Sequence, residues 1–167
     1  MHGPEVTHRG PSTGRFLYWV GRLWMWLAGW DTEGEPPPDL EKAVLIAAPH
    51  TTNWDLIHML AAAWVYRIDV SYLAKHTLFR GPLGWLVRYL GGIPIDRRAP
   101  HGVVQQVADR IAAADRILIA VPPSGTRKKR AYWKSGFYWI AVTAQVPILC
   151  GFLDYSRKRA GLGRCFV

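Results

Sequence analysis

From residue 43 onward, short unbroken apolar runs alternate with longer stretches whose apolar positions recur every three or four residues. Residues 43–48 (Ala-Val-Leu-Ile-Ala-Ala) contain no polar position, the pattern of a strand buried on both faces. Residues 52–66 predict a helix with Asn53 as its N-cap. A second strand is expected over 69–74. A helix rich in Trp, Leu and Val follows over 78–90, stopped by Gly91-Gly92. Residues 93–96 form a short extended piece, and a third helix spans 103–114 and ends at Asp115. Residues 116–121 predict a strand closed by Pro122-Pro123, residues 133–145 a fourth helix, and residues 146–153 a further strand. No repeat or low-complexity tract interrupts this order. The alternation predicts an α/β fold: a single domain over 43–167, with a largely parallel central sheet flanked by helices.

The pattern before residue 43 is different. Residues 1–14 hold almost nothing to bury and are expected to be a flexible tail. Residues 15–30 are apolar nearly all round a helix, with Trp19, Trp24, Trp26 and Trp30 among them. The segment is shorter than the roughly 20 residues that cross a hydrocarbon core. Tryptophan favours the headgroup level. Arg15 and Arg22, seven apart, share one face. The expectation is a membrane-interface helix lying in plane, its arginines reaching phosphates. The competing reading is a helix packed on the domain's own core. No small-residue cleavage site follows the apolar stretch, so a signal peptide is not expected. Residues 31–42 carry Asp31, Glu33, Glu35, Asp39 and Glu41 around Pro36-Pro37-Pro38, and predict an extended acidic, proline-rich linker.

Composition narrows the class. Of 167 residues, 50% are hydrophobic and 20% charged, which excludes a disordered or collagen-like chain. Two cysteines, Cys150 and Cys165, are too few for a disulfide scaffold and are expected as free thiols in a reducing compartment. The net charge is +9 and there are nine tryptophans. From Ala120 onward, Arg127, Lys128, Lys129, Arg130, Lys134, Arg157, Lys158, Arg159 and Arg164 face only Asp154, a local balance of +8. This is either a solvated basic face or the footprint of an anionic partner with an apolar side. Membrane lipid fits that description. So does single-stranded nucleic acid, since Tyr132 and Trp133 follow the cluster and aromatic rings stack on bases.

Candidate chemistry lies at strand ends, where open α/β sheets carry their sites. His50 occupies the turn after the first strand, and Asp55 the first turn of the helix that follows. The helix dipole favours a carboxylate there. From that place it can reach back to an imidazole, fix its tautomer and raise the basicity of the other nitrogen. Such a dyad suits deprotonation of a substrate hydroxyl. The bland alternative is a capping Asp beside an incidental His. Lys75 closes the second strand, Arg97 follows a short extended segment, and Arg127 follows Ser124-Gly125-Thr126 after the third strand. The three cations could converge on one phosphate, Gly125 allowing close backbone approach and Thr126 offering a donor.

These residues fall in four ordered blocks. His50-Thr51-Thr52-Asn53-Trp54-Asp55 resembles the HxxxxD motif of the glycerophospholipid acyltransferases, the group of the 1-acylglycerol-3-phosphate acyltransferases. Lys75 through Gly92-Ile93-Pro94-Ile95-Asp96-Arg97 is similar to their second block, Ser124-Gly125-Thr126-Arg127 to the third, and Val146-Pro147-Ile148 to the fourth. The resemblance covers about residues 43–153, which makes 43–167 an acyltransferase-like domain. It implies acyl transfer from acyl-CoA or acyl carrier protein to a hydroxyl of a (lyso)glycerophospholipid, with no metal or further cofactor. His50 would be the general base and Asp55 its orienting partner. Lys75, Arg97 and Arg127 would hold the acceptor phosphate, in a pocket shaped by Ser124, Gly125 and Thr126.

The implied partners are an anionic lipid acceptor, a thioester donor and a membrane surface, with no nucleic acid. The implied location is peripheral or monotopic on the cytoplasmic face. Two departures stand out. Ser124 replaces the usual Glu, which leaves open a lipid-binding relative without activity. The family also runs further than Gly163-Arg164-Cys165-Phe166-Val167, so a truncated or minimal form is expected. The aromatic stretch from Trp133 to Tyr138 is expected to start a helix that packs into the core.

Overall fold

The computed structural model describes residues 13–38, 40–48, 52, 54–95, 100–123 and 132–167, with the backbone alone at 100 and 101. Helix α1 (Arg15–Ala28) leads into strand β1 (Asp31–Glu33) and then β2 (Lys42–Ala48). Helix α2 (Trp54–Tyr66), β3 (Val70–Lys75), a 3₁₀ turn (His76–Phe79), α3 (Gly84–Tyr89) and β4 (Gly92–Ile95) follow. The remainder is α4 (Pro100–Ala113), β5 (Ile117–Val121), α5 (Gly136–Ala144), β6 (Ile148–Asp154) and β7 (Arg159–Phe166). One seven-stranded sheet has the order β1-β7-β6-β2-β5-β3-β4. Strands β6, β2, β5, β3 and β4 are mutually parallel. Strand β7 runs against β6, and β1 runs parallel to β7. The expected α/β architecture is present.

Side-chain alternation assigns the two faces. Ala43 and Leu45 of β2 and Leu118 and Ala120 of β5 pack toward α2. Val44 of β2 and Ile117, Ile119 and Val121 of β5 pack toward α4 and α5. The period of two along a strand produces this division. From β2 the chain crosses β5 to reach β3, and from β5 it crosses β2 to reach β6. Crossovers of one hand in opposite directions put their helices on opposite faces.

Helix α1 packs on the domain along one stripe and leaves its opposite face exposed. Leu17, Gly21 and Met25, four apart, form a buried stripe against α2. The approach is close: a Cβ at Gly21 would stand 2.7 Å from the Ala61 carbonyl oxygen. The rest of the helix presents Phe16, Trp19, Val20, Leu23, Trp26 and Leu27 to the outside, Trp26 at 75% exposure. Its C-terminus closes on Gly29 at φ +70°.

Three sequence expectations change, and one strand is new. The helix expected over 78–90 is a 3₁₀ turn and a six-residue helix, because Gly81-Pro82 interrupts the backbone hydrogen bonding. The acidic linker expected over 31–42 opens with strand β1, which pairs with β7. Its acids meet the basic C-terminal region there: Arg157 Nη1 lies 3.3 Å from Glu33 Oε2, and Arg159 Nη1 lies 3.0 Å from Asp31 Oδ2. Strand β7 itself had no counterpart in the sequence reading. Finally, within the aromatic stretch only Phe137 packs against the core, beside Ile140 and Ala141 of α5, while Trp133, Tyr138 and the following Trp139 are exposed. Residues 1–12 of the expected tail lie outside the described residues, as does Asn53.

Candidate active site

Strands β2 and β5 are neighbours whose crossovers depart in opposite directions, and a crevice for ligands forms beyond the carboxyl ends of such strands. Asp55 sits there, in the first turn of α2, only 3% exposed. Burying a carboxylate is costly unless donors satisfy it. Thr52 supplies two: its N–H donates to Oδ2 at 2.9 Å and its hydroxyl to Oδ1 at 3.0 Å. The Trp54 N–H in turn donates to Thr52 Oγ1 at 3.1 Å. This is a capping box in form, and it explains why Thr-x-x-Asp opens a helix here. Tyr155 supplies a further donor from the turn between β6 and β7, its hydroxyl donating to Asp55 Oδ1. The Thr52 and Tyr155 hydroxyl oxygens are 3.2 Å apart. With both hydrogens directed at Asp55, that spacing is a contact within one cluster.

Aromatic rings wall the cluster toward α1. Trp30 stacks on His58 at 4.3 Å between centroids and meets Tyr155 edge-on at 4.9 Å. Trp24 donates its Nε1–H to His58 Nδ1 at 3.3 Å. Burial lowers the His58 pKa from its ordinary 6.5, partly opposed by the charge of Asp55. The imidazole is therefore an acceptor on its Nδ1 side. Burial raises the Tyr155 pKa above its ordinary 10, and the hydrogen bond to Asp55 adds to the rise, so the phenol keeps its proton.

Behind Asp55 an apolar cavity of about 330 Å³ extends between α2 and the sheet. Small side chains create it: Ala47, Ala63, Ala74, Ala120, Ala160 and Gly161 all face it, where longer residues would fill the space. Asp55 and Lys75 lie on its polar side, and Tyr66 and Ile68 line it at the far end of α2. Along α2, Asp55 to Tyr66 is about 16 Å at the helical rise per residue.

Of the residues singled out by sequence, Asp55 and Lys75 line this one cavity. His50, Arg97, Ser124, Gly125, Thr126 and Arg127 lie outside the described residues. Sequence reasoning missed Thr52 as a donor to Asp55, although the capping-box spacing signals it. It also missed Tyr155 and His58, for which no local pattern exists, and it expected Trp30 at the headgroup level, whereas the structure buries it against His58. Among the described residues, no group of three His, Cys, Asp or Glu side chains could hold a metal ion, and no helix is long and apolar enough to cross a membrane.

Comparison with known proteins places the chain in a family. The chain is 32% identical over 114 residues to a 1-acyl-sn-glycerol-3-phosphate acyltransferase of Streptococcus pneumoniae, covering 67% of this chain and 42% of that protein. It is 27% identical over 139 residues to the human 1-acyl-sn-glycerol-3-phosphate acyltransferase beta, covering 78% of this chain and 49% of that one. The chain thus spans less than half the length of either relative. The crystal structure of the 1-acyl-sn-glycerophosphate (LPA) acyltransferase PlsC from Thermotoga maritima superposes with a TM-score of 0.59 at 15% identity, covering 90% of this chain and 67% of that one, and shares its fold. Residues 31–150, from β1 into β6, match the Acyltransferase family, and the chain belongs to the acyltransferase family.

Proposed function

We propose that the protein transfers a fatty acyl group from acyl-CoA or acyl carrier protein to a free hydroxyl of a (lyso)glycerophospholipid such as 1-acylglycerol-3-phosphate. The observation that carries this reading is the apolar cavity with Asp55 and Lys75 on its polar side. A fatty acyl chain is an apolar ligand, and each buried methylene contributes about 0.8 kcal/mol. Lys75 suits an anionic headgroup or phosphate beside it. The relatives' names state the same reaction class.

In this reading the acceptor hydroxyl attacks the thioester carbonyl carbon. The new C–O bond forms, the C–S bond breaks, and the hydroxyl proton passes to the imidazole of His50 and on to the departing thiolate. Asp55 orients that imidazole. Lys75, Arg97 and Arg127 hold the acceptor phosphate, and Ser124, Gly125 and Thr126 shape its pocket. The step as written uses no metal or further cofactor. The exposed apolar face of α1 is the membrane contact: six large apolar side chains in one stripe are more than a soluble helix leaves in water. The thioester donor and free thiols Cys150 and Cys165 fit a peripheral position on the cytoplasmic face.

The test is release of CoA, followed with a thiol reagent, from acyl-CoA and lysophosphatidic acid beside His50→Ala. General-base catalysis is worth about 10²–10⁴ in rate, so the variant is expected to lose that factor. Equal release from both proteins contradicts the reading. A second reading, a lipid-binding relative without activity, is favoured by Ser124 standing where the family has Glu. It predicts binding to anionic vesicles and no CoA release from either protein.

A further inference from the structure

We propose that Tyr155 is a positioning residue for Asp55, holding its carboxylate from the β6–β7 turn in the orientation in which it serves the general base. This rests on the acyl-transfer reading above. Asp55 is fixed from its own segment by Thr52, but a bond within one helical turn leaves the carboxylate free to move with that turn. Tyr155 reaches it from 100 residues away, on a different strand connection. It ties the start of α2 to the sheet.

The turn that carries Tyr155 is braced. Asp154 accepts the Ser156 N–H at 3.0 Å, the Arg157 N–H at 3.1 Å and the Arg157 Nε–H at 2.6 Å, and Arg157 also reaches Glu33 on β1. Lys158, at φ 52°, completes the reversal, and its Nζ donates to the Ala28 carbonyl at the end of α1. The phenol ring rests edge-on against Trp30, which is itself stacked on His58. The residue is 40% exposed, yet its hydroxyl is directed at a buried carboxylate. Asp55 and His58 are the titratable groups that face it among the described residues.

The experiment compares the full chain with Tyr155→Phe and Tyr155→Ala, using acyl-CoA and lysophosphatidic acid in vesicles. Tyr155→Phe keeps the ring and removes only the hydroxyl. Loss of a hydrogen bond to a charged group predicts a roughly 10-fold fall in kcat, with KM within about twofold and Tm lower by a few degrees. Tyr155→Ala is expected to lose the same factor in kcat and to melt lower still, because Trp30 loses its neighbour. A second readout needs no turnover. In protein labelled at tyrosine Cζ, Asp55→Asn is expected to bring the Tyr155 titration down, since the carboxylate helps to raise it.

Wild-type kcat in Tyr155→Phe, a change in KM alone, or an unmoved Tyr155 titration would each overturn the proposal. If instead the wild-type protein transfers no acyl group, the acyl-transfer reading falls and this proposal falls with it. An active wild type with an equally active Tyr155→Phe rejects this proposal alone.

Discussion

The two faces of the sheet are made by the same strands and differ mainly in side-chain size. Toward α4 and α5, Val44, Ile117, Ile119 and Val121 meet Val107, Ile111 and Ile140, and branched side chains close the space. Toward α2, Ala43, Leu45, Leu118 and Ala120 meet Ala63 and Met59, and the cavity remains. Neither face needs an unusual backbone. Alternate positions along β2 and β5 are chosen for filling on one side and for shortness on the other. A void lined by apolar atoms forfeits contacts that packing would supply. The open face therefore forfeits stability that the closed face keeps, and that asymmetry leaves the cavity on the α2 side.

The largest expected effect breaks the closed face. Ile119 is fully buried, and Ile119→Ala is expected to destabilise the fold by about 2–5 kcal/mol. Denaturant melts measure this, and the preferred acyl-chain length should be unchanged. A change in chain-length preference would contradict the division of labour between the faces. The adjacent residue sharpens it. Ala120→Leu points into the cavity and should fill part of it with little loss of stability. It is expected to move preference toward shorter acyl chains, by about tenfold in the ratio of long to short donors if two methylenes are excluded at ~0.8 kcal/mol each. Competition between acyl-CoA species of different length reads this directly.

A smaller effect concerns the join between α1 and α2. Burial lowers the His58 pKa, so the unfolded chain takes up a proton at a pH where the folded one does not. The contribution is fully present above the unfolded value of 6.5 and is lost as pH falls from 6.5 toward the lowered folded value. Wild-type Tm should fall by a few degrees over that window beyond the fall shown by His58→Gln. The glutamine keeps an acceptor for Trp24 but does not titrate. Parallel Tm curves for the two proteins would contradict this account.

Much of this was legible in the sequence. The unbroken run at 43–48 and its partners gave the parallel strands, because strands buried on both faces have no polar positions. Asp55 was legible through its spacing from His50 and its place in a first helical turn. The edge of the sheet was not. Strand β7 (Arg159–Phe166) contains Ala, two Gly, two Arg and a Cys, and becomes a strand only by pairing with β6 and β1. Strand β1 is an acidic tripeptide that pairs in turn with β7 and has basic side chains opposite it. Tyr155 could not be found from its neighbours, since its meaning lies in a carboxylate 100 residues earlier. The cavity was also hidden: alanines at alternate strand positions read as core, and only the facing alanines of α2 turn them into a wall.

The most direct test of acyl transfer is to identify the product. Lysophosphatidic acid in vesicles is incubated with an acyl-CoA of labelled chain, and the lipids are resolved by mass spectrometry for wild type and His50→Ala. The account predicts labelled diacyl phosphatidic acid from the wild type and a yield lower by two or more orders of magnitude from the variant. Labelled free fatty acid with no diacyl product, or equal yields from the two proteins, would contradict it.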